Sequence, residues 1–353
     1  MTDITPCNID SLISIINKAE KIAIVSHMKP DGDAIGSTSG MYHFLGLCGK
    51  EHRKIVLPHR APGYLDFLYD KAMIKDTIIY DHNPRPAAKA IAESDLIICL
   101  DFNAFHRTDA LEQPLQESTA VKVLIDHHLN PDREKFDLVF SETEISSASE
   151  LTYQILMQTP LINRDAKKLP ARASEALMTG MTTDTNNFAN SVFPSTLRMA
   201  SELIEAGVDR ELIISNLYNQ HKESRMRLMG VVLKDLMKIT SDGVAYIILN
   251  KEILKEYHIE DGDTEGFVNL PLSIAKVKMS IMLKEDGDKV RVSIRSKRGI
   301  SANRCSKLHF NGGGHENAAG GRLYMPRDIK NIEDAASYIE EHTHTFMTCE
   351  NEQ

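Results

Sequence analysis

Four short runs, "KIAIVSH", "DTIIY", "SDLIICLDF" and "VKVLIDHH", constrain this chain more than any other feature. Each is apolar and mostly β-branched, without the polar alternation of a half-exposed strand, so each reads as a strand covered on both faces. Apolar-periodic stretches suited to helices lie between them. That alternation predicts a layered α/β domain built on a parallel sheet.

Acidic and histidine residues recur where these runs stop. His27, Asp31 and Asp33 follow the first run across "SHMKPDGDAIGS", Asp101 ends "LIICL", and Asp126, His127 and His128 end "VKVLI". In open α/β sheets, ligands bind in the crevice beyond the carboxyl ends of the strands, so these groups are expected to converge. Asp184, in "LMTGMTTDTNNF", is a further candidate. Singly, a D-x-D pair is more often a solvated turn and a His-His pair a plain strand end. Together the carboxylates and imidazoles are enough for two divalent ions sharing a bridging carboxylate at roughly 3.5–4 Å. Such a pair acidifies water and clamps a phosphoryl group. Mixed ligands of this kind suit Mn²⁺, with Mg²⁺, Co²⁺ or Zn²⁺ as alternatives.

The chain's 353 residues allow about two domains. Ser147 to Glu150, in "SSASELTYQILMQ", has the form of a capping box and predicts a helix start. From about Thr196, "STLRMASELIEAG" and "RELIISNLYNQHKESRMRLMGVVLKDLM" read as consecutive charged helices. "GVAYIIL", "VKMSIMLKEDGDKVRVSIRSK" and "GGRLYM" then read as strands, the middle pair forming a hairpin at Asp286-Gly287-Asp288. The expected division is a catalytic domain over 1–193, a helical linker over 194–238 and a smaller α+β domain over 239–347.

A net charge of −9 argues against a protein that coats long nucleic acid. The local exception runs from Lys289 to Lys307, with seven basic residues and no acidic one, where a small anion could be met. Five scattered cysteines, none in a C-x-x-C pair, read as reduced thiols. No apolar run reaches the roughly 20 residues of a membrane helix, and the N-terminus has no signal pattern, so a cytoplasmic location is expected.

In this order and spacing, "SHMKPDGDAIGS", "CLDFN", "LIDHH" and "MTTDT" resemble the four motifs of the DHH phosphoesterase superfamily, and "SIRSKRG…NGGGHENAAGG" resembles its DHHA1 domain. The likeness spans nearly the whole chain and is nearest the nano-RNase and pAp-phosphatase branch. It implies that His27, Asp31 and Asp101 hold one metal, and that Asp33, Asp101, His127 and Asp184 hold the other, with Asp101 bridging. It also implies that Asp126 supports the neighbouring histidines and that His128 faces the scissile phosphate. On the substrate side, Arg295 and Ser296 in "SIRSK", the glycines Gly312, Gly313 and Gly314, and His315 are candidates, with Arg107 a weaker one. Glycines there can present backbone N–H groups to an anion, and Arg295 can fork onto a phosphate.

The resemblance implies a hydrolase that cuts short oligonucleotides to mononucleotides and 3′-phosphoadenosine 5′-phosphate to AMP and phosphate. A phosphodiesterase for cyclic or linear di-adenosine phosphates is the nearest alternative. RecJ-type exonucleases are longer, and family-II pyrophosphatases lack the GGGH loop. A non-catalytic nucleotide sensor would be expected to have lost a ligand, whereas every expected ligand is present. A homodimer stays open.

Overall fold

The computed structural model describes residues 3–260 and 262–351, the side chains of 349–351 excepted. It divides into two compact units, Met1–Gln220 and His221–Gln353.

The first unit is built on a six-stranded sheet: β1 (Lys21–Val25), β2 (His52–Leu57), β3 (Thr77–Ile79), β4 (Leu96–Leu100), β5 (Val121–Asp126) and β6 (Leu138–Ser141). The spatial order is β3-β2-β1-β4-β5-β6, and every pair is parallel. Both faces are covered, as the apolar runs require. Ile22, Ile24, Ile98 and Leu100 pack against the helices Gly32–Leu47, Ala148–Gln158 and Ala171–Asp184. Ala23, Val25, Ile97 and Cys99 point the other way, toward Ala87 and Ile91 of the Pro84–Ala92 helix and toward Leu111 and Leu115. The chain moves outward from β1 to β2 and β3, then crosses back to lay β4 on the other side of β1. That reversal opens a crevice at the carboxyl ends of β1 and β4.

Gly32–Leu47 is buried on nearly every side, which suits its low polarity. It crosses Ala171–Asp184 so closely that a Cβ on Gly36 would lie 2.6 Å from the Ala176 carbonyl oxygen and 2.7 Å from Gly180 Cα.

The second unit carries a mixed sheet in the order β11-β12-β10-β9-β8-β7. Its strands are β7 (Lys238–Ile239), β8 (Val244–Leu249), β9 (Met279–Asp286), β10 (Lys289–Ser296), β11 (Gly313–Gly314) and β12 (Ala318–Tyr324). β8 and β9 are parallel and the other pairs antiparallel. β10 alternates strictly: Val290, Val292 and Ile294 enter a core with Cys305, Phe310, Ile339 and Phe346, while Arg291 and Arg295 face away.

The sequence reading missed two strands of the first sheet, β2 and β6. β2 starts with the polar residues His52, Arg53 and Lys54, which hide the apolar Ile55–Leu57 end. The helical run after Arg210 is also not continuous: Arg210–Tyr218 stops at Asn219, Glu223–Val231 follows, and Val232–Leu236 is a π-turn. The break between units falls at Gln220/His221. Cys7, Cys48 and Cys99 are free thiols, Cys305 is buried in the second unit's core, and the Cys349 side chain lies outside the described residues. Among the described residues no helix is long and apolar enough to cross a membrane.

Candidate metal centre

Strand register brings the candidate ligands level. Val25 lies beside Cys99, and Leu100 beside Ile125, so one to two residues past the strand ends the chain places His27, Asp101 and His127 at one edge. Asp101 adopts a left-handed backbone (φ 65°), a conformation rare outside glycine and costly unless the surroundings hold it. Its N–H is tied to the Ile125 carbonyl at 3.1 Å, which does that holding.

Asp101 sits in the middle of the cluster. Its Oδ2 is 3.3 Å from His27 Nε2, and its Oδ1 lies 3.5 Å from His127 Nε2 and 3.8 Å from His128 Nδ1. His27 Nε2 is also 3.8 Å from Asp31, and its Nδ1 donates to the Met28 carbonyl, leaving Nε2 aimed inward. On the other side, His127 Nε2 is 3.7 Å from Asp184 and 3.9 Å from Asp33. Three groups of three thus have donor atoms close enough to share one ion: His27, Asp31 and Asp101; Asp33, His127 and Asp184; and Asp101, His127 and His128.

Each ligand candidate has its own support. Asp31 caps the Gly32–Leu47 helix, Oδ1 accepting from the Asp33 and Ala34 N–H groups. Asp33 accepts the Ala148 N–H at 2.6 Å on Oδ2 and the Ser149 N–H at 2.8 Å on Oδ1, so it rests on the N-terminus of the Ala148–Gln158 helix. Fully buried Asp126 accepts the N–H of His128 on one oxygen and faces His128 Nδ1 at 2.8 Å on the other. That contact fixes the ring and leaves Nε2 for the crevice. The loop bearing His27 is pinned twice, by the Met28 N–H on the Arg107 carbonyl (2.7 Å) and by the Lys29 N–H on His59 Nδ1 (3.0 Å). His59 carries no motif that the sequence reading could use.

Charge is heavily concentrated here. Burial opposes an imidazolium at His27, yet the hydrogen bond and charge of Asp101, with Asp31 nearby, raise its pKa to about 9. The same contest at His127, with Asp101, Asp184 and Asp33 outweighing burial, gives about 10. Burial and the charges of Asp101 and Asp184 hold Asp33 well above the usual carboxylate range, and burial with Asp31 and Asp101 pushes Asp184 to about 7 despite His127. Asp101 is held far below that range: burial opposes its charge, but hydrogen bonds from His127 and His27 outweigh it. Carboxylates crowd one point, and protons on imidazoles and on Asp184 are what balance them. A divalent cation would supply that positive charge in place of the protons, so the donor set fits a metal.

The second-unit candidates lie on two elements. Gly313 and Gly314 form β11 against β12, and exposed His315 follows, its N–H on the Ala318 carbonyl. A Cβ on Gly312 would collide with the Gly320 carbonyl, so only glycine allows this approach. Arg295 bonds the Ile294 carbonyl, and burial lowers its pKa against the pull of Glu265. Ser296 is buried, its hydroxyl donating to the Ile300 carbonyl and accepting from Asn317. The basic run is partly used internally: Arg291 pairs with Asp286 at 2.6 Å, and Lys297 bonds the Ile274 carbonyl. In the first unit, the Arg107 side chain is half-buried and has no hydrogen-bond or ion-pair partner among the described residues.

Residues 21–181 match the DHH family, N-terminal domain, and residues 242–342 match the DHHA1 domain. The chain is 30% identical to a Streptococcus mutans protein named probable bifunctional oligoribonuclease and PAP phosphatase NrnA, across 91% of this chain and 96% of that one. A Bacillus subtilis protein named bifunctional oligoribonuclease and PAP phosphatase NrnA is 27% identical across 89% and 92%. The crystal structure of an exopolyphosphatase-related protein from Bacteroides fragilis is similar throughout, with a TM-score of 0.91 and 36% identity, covering 99% of this chain and 100% of that one. Fold, site and relatives define a phosphoesterase-type hydrolase. The chain belongs to the DHH family and carries a DHHA1 domain after its DHH domain.

Proposed function

We propose that this enzyme hydrolyses short oligoribonucleotides to mononucleotides and 3′-phosphoadenosine 5′-phosphate to AMP and phosphate, using two divalent ions, Mn²⁺ first among them. The observation that carries the reading is the convergence of His27, Asp31, Asp33, Asp101, His127 and Asp184 on one point, in a chain whose relatives along nearly its full length bear the names of those two activities. His27, Asp31 and Asp101 would hold one ion and Asp33, Asp101, His127 and Asp184 the other, Asp101 serving both. When bound, such ions lower the pKa of water and neutralise charge on a phosphoryl group.

The chain's own residues do the rest. Asp126 orients His128 so that Nε2 can meet the departing oxygen or the charge that builds on phosphorus. Arg107, whose side chain has no partner among the described residues, offers a guanidinium to a phosphate in the first unit. In the second, Arg295 and the Gly312–Gly314 loop suit a terminal phosphate, with the Gly312 N–H itself already given to the Ser306 carbonyl at 3.3 Å; His315 suits a base, and Ser296 holds the loop that carries them. The net charge of −9 favours a short substrate over a long strand.

The test is a turnover panel with Mn²⁺: diribonucleotide, five-residue RNA, 3′-phosphoadenosine 5′-phosphate, cyclic di-AMP, linear pApA and pyrophosphate, resolved by chromatography. Fast turnover of diribonucleotide and the adenosine bisphosphate is expected. Preference for cyclic di-AMP or pApA would overturn the substrate assignment and leave the metal centre standing.

A further inference from the structure

One buried charge next to the centre is not used by the chemistry above. Glu150 is fully buried in the first turn of the Ala148–Gln158 helix. Its Oε2 accepts three hydrogen bonds: from the Ser146 N–H at 3.1 Å, the Ser146 hydroxyl at 2.5 Å and the Thr196 hydroxyl at 2.7 Å. Oε1 accepts from Gln154 Nε2 at 3.0 Å. A carboxylate this buried is tolerated because four donors and the positive end of its own helix replace water.

What lies between those contacts matters most. Ser147 caps the helix, accepting from the Glu150 N–H at 2.9 Å, and the next two amides, Ala148 and Ser149, are the ones that donate to Asp33. The first turn of a helix is where backbone groups lack helical partners and where the chain frays. Glu150 closes that turn from both sides, fastening Ser146 just outside it. Thr196 adds an anchor on the neighbouring Pro194–Glu205 helix, where its hydroxyl also accepts from the Phe193 N–H at 3.1 Å.

We propose that Glu150 is a positioning residue: it fixes the Ser147–Ser149 turn so that the Ala148 and Ser149 amides hold both oxygens of Asp33 in the orientation the His127 and Asp184 side of the centre requires. The backbone part of this inference stands alone; its metal part rests on the proposed function. Supporting partners of metal ligands are typically worth roughly ten- to a hundredfold in affinity.

The test uses the full chain and two readouts. In the metal-free protein, residue-resolved hydrogen exchange compares the Ala148 and Ser149 amides with those of β4, which report the core. Calorimetric titration with Mn²⁺ then follows both binding events. E150A is expected to speed exchange at Ala148 and Ser149 at least tenfold beyond any change in β4, and to weaken one Mn²⁺ event about ten- to a hundredfold while sparing the other. E150Q can turn its carbonyl to Ser146 and Thr196 and its amide to a flipped Gln154, so it should restore most of both.

Uniform acceleration across the core with an unchanged Mn²⁺ titration would overturn the proposal and leave Glu150 a stability residue only. Should E150A prove insoluble, Thr196→Val, which removes one donor, must show the same local pattern at smaller size; its absence overturns the proposal equally. A wild-type chain that takes up no Mn²⁺ would refute the two-metal reading, and the exchange comparison alone would still decide for or against Glu150.

Discussion

Asp101 is the residue on which the reading turns, because it lies between His27 and His127 and stands in a backbone conformation that only its neighbours maintain. Asp101→Asn should lower turnover roughly a thousandfold or more, with bound Mn²⁺ lost from both positions when counted by elemental analysis. His128→Ala should instead lower kcat about a hundred- to ten-thousandfold with Mn²⁺ content unchanged. If both variants lose metal alike, His128 is a ligand and its assigned work at the phosphate is wrong. Titration gives a third expectation. His27 and His127 have folded pKa values near 9 and 10 against an ordinary 6.5, so in metal-free protein their stabilising effect is complete below about pH 6.5 and is lost as pH rises toward 9 and 10. Asp184, raised to about 7, loses stability in the same direction between about pH 4 and 7. Metal competes with these protons, so the metal-free melting temperature should fall from pH 6 to 9 while the increment added by Mn²⁺ grows. A Mn²⁺ increment that shrinks over that range would count against these residues as ligands.

At the scale of elements, two helices approach so closely that glycine is required. Alanine is the better helix former by about 1 kcal/mol, but at Gly36 its methyl would meet backbone atoms of Ala176 and Gly180, which cannot swing aside. Gly36→Ala should therefore destabilise, by about 1–3 kcal/mol in urea unfolding. Gly230 lies inside the Glu223–Val231 helix with nothing within 4 Å of the added methyl, so Gly230→Ala should stabilise by up to about 1 kcal/mol. Equal effects at both sites would show that propensity, not packing, governs the first. Much of this level was readable in advance: β1, β3, β4 and β5 lie within the apolar runs, and the Ser147 cap starts its helix. β2 and β6 were not, because β2 opens on polar residues and β6 has a single β-branched residue, Val139. β11 was hidden as well, since Gly313-Gly314 becomes a strand only by lying along β12.

Across the whole molecule, each unit has its own cores, those of the first holding Ile24, Ile98 and Leu124, and those of the second Ile281, Ile294 and Phe267. Binding energy gained at the metal centre should therefore protect the unit that contains it. Hydrogen exchange on the full chain with added Mn²⁺ is expected to slow around residues 25–37, 100–108, 125–130 and 144–150, leaving 279–324 unchanged until a nucleotide is present. Slowing confined to 279–324 would place the metal elsewhere. The sequence by itself determined the parallel sheet and the candidate ligands, because burial on both faces leaves continuous apolar runs and because motif residues follow them at fixed spacing. Only the tertiary structure decided the support behind those ligands. That Asp33 rests on the Ala148 and Ser149 amides, that Glu150 closes their turn and that His59 grips the Lys29 N–H are contacts between residues 30 to 116 positions apart, or cap contacts that acquire their meaning from such a neighbour. No local pattern encodes the long-range ones, since packing, not spacing, brings those partners within reach.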